Sequence, residues 1–247
     1  MEYKTAQECY EQVVGNRYQY LDRARQCSKL TLPYVMPEEG FGAHSRLDTP
    51  FQGVGARGAN NLASKLLLAL LPPNAPFFRL NVDSYALKEE GAPDEMITEI
   101  ESALQKMEEA VMDEISRETY RTVLHETLKD LIITGNALVY LPDEGGMRVF
   151  SLDRYIVERD PMGQPVSMAT KETIAYSVLS DEMKQAVGTK SETPNDNCNL
   201  YTAIKLIDNK WEVWQDINGV PIPNSRGTYK KDKCPYIPLR FCRIDGE

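Results

Sequence analysis

Residues 49–80 read TPFQGVGARGANNLASKLLLALLPPNAPFFRL, and the reading of this stretch decides the fold. From Ala56 onward, Ala59, Leu62, Ala63, Leu66, Leu67 and Leu70 recur at the steps of one α-helical face. Pro72 and Pro73 stop that helix, because proline has no amide donor and its ring clashes with the preceding turn. Phe77 to Val82 leaves a proline-rich turn with β-favouring residues and predicts a strand. The expectation is a buried helix that hands the chain directly to a sheet.

The same stretch contains Gly53-Val54-Gly55-Ala56-Arg57-Gly58, the G-x-G-x-x-G pattern of dinucleotide-binding turns, with Asp83 beyond the next predicted strand. Such a site also needs a hydrophobic strand running into the first glycine. Residues His44 to Pro50 (HSRLDTP) cannot form one. Close approach of the helix to a neighbouring backbone explains the small residues better. A nucleotide-binding enzyme using Gly53 to Gly58 is the alternative of a different class; calorimetry with NAD or ATP separates the two.

The 247 residues suffice for one large domain or two modest ones, and 42% apolar with 26% charged content is ordinary for a globular protein. A net charge of -9 excludes an overall basic footprint for nucleic acid. The local positives Arg17, Arg23, Arg25 and Lys29, and Lys230, Lys231 and Lys233, read as solvated faces. Cysteines 9, 27, 198, 234 and 242 form no C-x-x-C pair and suit free thiols in a reducing, cytoplasm-like compartment. The N-terminus has no signal-peptide pattern, and the apolar run Leu66 to Leu71 is too short to span a bilayer, so no membrane partner is expected.

Working outward, Thr5-Ala6-Gln7-Glu8 is a capping box that opens a helix to about Leu30, burying Tyr10, Val14, Leu21 and Ala24. Pro33 and Pro37 end it, and Glu38 to Asp48 reads as an exposed loop. Beyond Pro93, Ile97, Ile100, Leu104, Met107, Val111 and Ile115 form a long helical stripe. A second helix spans about Tyr120 to Thr134, with Leu124, Leu128, Leu131 and Ile132 inward and Gly135 as a left-handed cap.

The period then becomes strand-like. Ala137 to Leu141 pairs with Met147 to Phe150, and Tyr155 to Arg159 with Val166 to Lys171. A short helix follows at Asp181 to Val187, capped by Ser180, and Lys190 to Asn199 reads as polar and mobile. Leu200 to Ile207 and Trp211 to Ile217 form a hairpin around Asp208-Asn209, Asn218-Gly219 is a further turn, and Tyr236 to Ile244 is the last strand. The class is α+β: amphipathic helices (1–134) packed on an antiparallel β meander (135–247). Asp245-Gly246-Glu247 closes the chain without a helix to cover the sheet, which reads as an interruption.

No catalytic, cofactor-binding or metal site emerges. His44 and His125 have no triad partners at readable spacing, and Gly-Lys never occurs, so a phosphate-binding loop is excluded. Glu108, Glu109, Asp113 and Glu114 fall on the wet face of the long helix, and no D-x-D-x-D-G calcium loop is present.

Four segments carry a resemblance. TPFQGVGARGANNLASKL (Thr49 to Leu66) resembles the early helix of the head-to-tail connector, or portal, family of T-seven-like short-tailed phages (podovirus, Autographiviridae type). LKDLIITGNALVYLP (Leu128 to Pro142) resembles its helix-Gly-Asn-strand junction, and SLDRYIVERD (Ser151 to Asp160), with Gly163, its next hairpin. CPYIPLR (Cys234 to Arg240), continuing to RIDGE (Arg243 to Glu247), is similar to its approach to the stem. Order and spacing agree over essentially the whole chain.

The resemblance implies a wing-type domain from the N-terminal portion of such a protein, with stem, clip and crown lying beyond Glu247. It implies a structural, non-enzymatic subunit of a ring, usually a homododecamer, at one capsid vertex of the virion, made in the host bacterial cytoplasm. That ring is the channel for DNA packaging and ejection, and it joins head to tail. Implied partners are other copies of itself, major capsid and scaffolding proteins, the terminase motor that hydrolyses ATP, tail adaptor and internal core proteins. Double-stranded DNA passes without sequence-specific binding. Subunit contacts are expected on the wet face of Pro93 to Glu118 and on the loop Glu38 to Asp48, so charge reversal at Glu108 and Glu109 should weaken the full-length ring. A monomeric interaction domain of the same fold is the further alternative.

Overall fold

The computed structural model describes residues 5–242, except 39, 42–44, 74, 90, 92, 180 and 188–196. Six helices come first: α1 (Ala6–Val14), α2 (Tyr18–Leu30), α3 (Val54–Leu70), α4 (Ser84–Glu89), α5 (Asp94–Arg117) and α6 (Tyr120–Thr134). Strands β1 (Asn136–Tyr140), β2 (Arg148–Phe150), β3 (Tyr155–Arg159) and β4 (Pro165–Ala175) follow, then α7 (Asp181–Val187). The chain finishes with β5 (Asn197–Ile207), β6 (Lys210–Ile217), β7 (Val220–Pro221), β8 (Gly227–Lys230) and β9 (Tyr236–Arg240). The class is α+β with antiparallel sheets, as the periodicity predicts.

Local chemistry accounts for most boundaries. Thr5 Oγ1 accepts the Glu8 N–H at 3.1 Å while Glu8 Oε2 accepts the Thr5 N–H at 3.3 Å, a complete capping box. The single helix expected from Thr5 to Leu30 is broken at Gly15–Arg17 by a 3₁₀ turn, where Gly15 and Asn16 are poor helix formers. Gly135 ends α6 at φ 82°. Asp208 and Asn209 (φ 47° and 63°) and Asn218 and Gly219 (φ 49° and 80°) supply the paired positive dihedrals that tight hairpins require. The Ser180 cap and most of the polar run after Lys190 lie outside the described residues; Asn197 to Asn199 already belong to β5.

The strands form two sheets rather than one meander. One has the order β2-β1-β9; the other runs β3-β4-β5-β6-β7, with β8 also paired to β6. The departure comes from β9, which returns to β1 with Asn136 opposite Arg240 and Tyr140 opposite Tyr236. Strand β8 is unforeseen by the sequence reading; it sets Tyr229 opposite Trp211. Phe77 to Val82 is not a strand. Phe77 and Phe78 meet each other edge to face at 4.9 Å, and the Leu80 N–H donates to Glu108 Oε1 on α5 at 2.5 Å. Its backbone finds a helix side chain instead of a sheet edge.

The main core joins Leu21 and Ala24 of α2 to Leu138, Phe150, Met168, Ile204 and Trp211 of both sheets. Ala6, Cys9 and Tyr10 of α1 pack on Ile156, Ala169, Tyr201 and Ala203. Asp216, only 1% exposed, accepts the Gln7 N–H at 2.9 Å and fastens the start of α1 to β6. Helices α3 and α6 and the segment after α2 share a smaller core around Leu32, Val35, Ala59 and Ile133. The expected burial of α3 is therefore wrong: along that helix only Ala59 and Ala63 are buried. In α5 only Ile97 is.

Candidate assembly surfaces

The glycine-rich turn packs helix on helix. A methyl group at Gly55 would lie 2.7 Å from the carbonyl oxygen of Leu30 and 3.1 Å from Thr31 Cγ2, so α3 touches the end of α2 through a missing side chain. Gly58 has open space around it and carries no such constraint. Among the described residues no group of three or more His, Cys, Asp or Glu could hold a metal ion. His125 lies 3.2 Å from Ser64 Oγ, joining α6 to α3, and burial lowers its pKa. His44 lies outside the described residues. No described helix is long and apolar enough to cross a membrane.

Helix α6 holds α3 at both ends. Ile133 packs on Ala59, and the Arg121 guanidinium donates to the carbonyls of Leu71 and Pro72 at 2.8 and 3.0 Å. The Leu71 carbonyl belongs to the C-cap of α3, and that of Pro72 follows it directly. The outer sides of this lobe are apolar and uncovered: Leu62, Leu68 and Leu70 of α3 are 44%, 56% and 61% exposed. On α5, Met96, Met107 and Val111 are 48%, 57% and 43% exposed. Helical periodicity identifies Leu62, Leu70, Met107 and Val111 as parts of these stripes, and nothing among the described residues buries them.

The opposite side of α5 is acidic. Eight of its residues are Asp or Glu and two are Lys or Arg, and exposed Glu95, Glu99, Glu109 and Asp113 share one face. Glu108 is not free on that face, because it receives the Leu80 N–H. The expected charge-reversal site is thus Glu109, with Asp113 one turn on. The loop expected at Glu38 to Asp48 is clasped at its ends by Lys29, which meets Glu38 at 3.4 Å and Asp48 at 2.5 Å. Residues 39 and 42–44 of that loop lie outside the described residues.

Not every basic residue of the first helices is solvated as expected. Arg17 turns inward, donating to the Tyr155 carbonyl at 2.6 Å and lying over the Tyr155 ring. Burial pushes the Tyr155 hydroxyl well above its ordinary pKa.

Side-chain and backbone hydrogen bonds cross-link the junction LKDLIITGNALVYLP. Thr134 Oγ1 donates toward the carbonyls of Asp130 and Asn136, at 2.9 and 2.8 Å. Tyr20 Oη donates to the Thr134 carbonyl at 2.8 Å and receives the Asn136 amide. The Phe241 N–H reaches the Gly135 carbonyl at 2.8 Å. Asp130 is buried beside this knot; burial first, then the charges of Glu126 and Asp153, push its pKa up to about 7.

Comparison with known proteins places these features in a family. The family profile described as "Bacteriophage head to tail connecting protein" matches residues 3–247. The portal protein of Escherichia phage T7 is 36% identical over 98% of this chain and 47% of its own length. Those of Enterobacteria phages T3 and SP6 are 34% and 32% identical over 98% and 96% of the chain. The chain spans about half the length of these relatives. It belongs to the head-to-tail connecting proteins of bacteriophages.

Proposed function

We propose that this chain is the wing region of a portal subunit that assembles with copies of itself into a ring, usually a dodecamer, at one vertex of a phage head. The observation that carries this reading is the uncovered apolar surface of α3 and α5. Leu68 and Met107 stand more than half exposed in a lobe whose own core is small. Apolar patches of that kind are sites of association, and a closed ring of identical subunits supplies a neighbour for each. In the ring, DNA passes during packaging and ejection without sequence-specific contact. The net charge of -9 favours passage, since a basic wall would hold the phosphate backbone.

On this reading the subunit is structural, with no catalytic step of its own. It sits in the virion between capsid and tail. It meets capsid and scaffolding proteins, the terminase motor, tail adaptor and internal core proteins through surfaces of the whole protein. The test is the native mass of the protein expressed from its natural reading frame. A ring mass near twelve subunits is the expected outcome; a monomer at micromolar concentration overturns the assembly reading.

A further inference from the structure

Four arginines line one groove between α2, β3 and β9: Arg17, Arg23, Arg159 and Arg240. Its volume is about 410 Å³. Arg159 is held by the carbonyls of Gly163 and Pro238, at 3.0 and 3.4 Å, and Arg17 by that of Tyr155. Gly163, at φ 85°, leaves its Cβ position to the Arg240 guanidinium. Among the described residues none of the four pairs with a carboxylate. Carbonyls orient these side chains without neutralising them. Arg159 and Arg240 also repel each other, and burial with that repulsion lowers the pKa of Arg159.

Four guanidinium groups in one groove, among the described residues without a carboxylate partner, have the chemistry to meet an anion. The guanidinium fork matches a carboxylate or a phosphate. The groove has room for a few such groups and not for a duplex. A block of exposed carboxylates forms the outer face of α5, where Glu95, Glu99, Glu109 and Asp113 share the face with Lys106 and, at its end, Arg117. Within one copy α5 packs on α4 and α6, away from the groove. A head-to-tail ring contact joins two different patches of the same chain, and acidic regions of neighbouring copies repel unless opposite charges meet.

We propose that the arginine groove of one copy receives the acidic face of α5 from the next. This rests on the assembly reading above and names the two surfaces that meet.

The test is a charge swap in the protein expressed from its natural reading frame. Native mass measurement scores the ring fraction, and circular dichroism verifies folding. Arg23 is exposed and Arg240 half-buried, so R23E is made alone and with R240E; E109K with D113K is the reciprocal variant. Each variant is expected to lose at least tenfold in ring yield, and the combination of both to recover most of it. Recovery requires folded protein, so misfolding cannot imitate it. In R23Q with R240Q, ring dissociation should depend less on salt than in the parent.

A parent protein that does not assemble overturns the ring reading and this inference with it. A parent ring whose yield the arginine variants leave unchanged overturns the inference alone. So does a loss that the reciprocal charges fail to restore. Rings that form normally but lose low-salt retention of a DNA oligonucleotide in the arginine variants also overturn it, assigning the groove to phosphate.

Discussion

Asp130 sits at the base of α6, 7% exposed, with its pKa raised from an ordinary 3.8 to about 7 chiefly by burial. Below about pH 4 it is protonated whether the chain is folded or not, and it costs nothing. Between pH 4 and 7 only the unfolded chain releases the proton, so folding stability falls as pH rises, and above pH 7 the cost is complete. Asp130→Asn should therefore stabilise the fold by about 2–4 kcal/mol at pH 8 and by little at pH 4. Urea unfolding at both values checks this; a gain that is equal at the two would refute the burial account. The position is not legible in the sequence, where Leu128, Lys129 and Asp130 read as an ordinary helix turn. Asp153 and Tyr155, which lie close enough to interact with its charge, enter more than twenty residues later. Asp216 is similar: nothing near it in the sequence announces that Gln7 will be its donor.

Elements set by neighbours in the chain were the readable ones. Helix α6 runs from Tyr120 to Thr134 as its stripe and Gly135 require, and the Asp208-Asn209 and Asn218-Gly219 turns follow from residues that tolerate positive φ. The capping box at Thr5 likewise needs only four residues. What could not be read depends on distant pairing. The return of β9 to β1 joins residues about one hundred apart, and Phe77 to Val82 has the composition of a strand without a sheet edge to join. Periodicity locates the apolar stripes of α3 and α5 but cannot say that, among the described residues, Leu62, Leu70, Met107 and Val111 stay uncovered. Arg121 is another long-range element clasp. Replacing it with Ala frees the carbonyls of Leu71 and Pro72 at the end of α3 and should cost about 1.5–3 kcal/mol. Hydrogen exchange should rise first in α3, and uniform loss of protection would contradict a local role.

For the whole molecule, the two packing regimes predict two classes of substitution. Trp211, Ile204 and Leu138 belong to the core between sheets and α2, so shrinking them destabilises every copy. Leu68 and Met107 lie outside any core. Leu68→Gln with Met107→Gln should leave folding stability within about 0.5 kcal/mol of the parent, as exposed substitutions do. The same pair should lower the ring fraction at a given concentration, read by light scattering. A large stability loss with unchanged assembly would show that the patch belongs to the subunit and not to its neighbours. The candidate surfaces were half visible in advance: the acidic face of α5 is written in its sequence, whereas the arginine groove draws on residues 17, 23, 159 and 240 and exists only once the chain has folded.

The hydrogen bond from the Phe241 N–H to the Gly135 carbonyl has a mechanical meaning. Because β1 and β9 are antiparallel, α6 and the chain beyond Arg240 leave their small sheet at the same end, side by side. A torque on the segment after Arg240 bears on the root of α6 through Phe241, and on the larger sheet through Arg159 and Gly163. Through Arg121 and Ile133 it then passes to α3. The lobe and the outgoing strand turn on one pivot, so the angle at which the chain departs fixes how the lobe is presented.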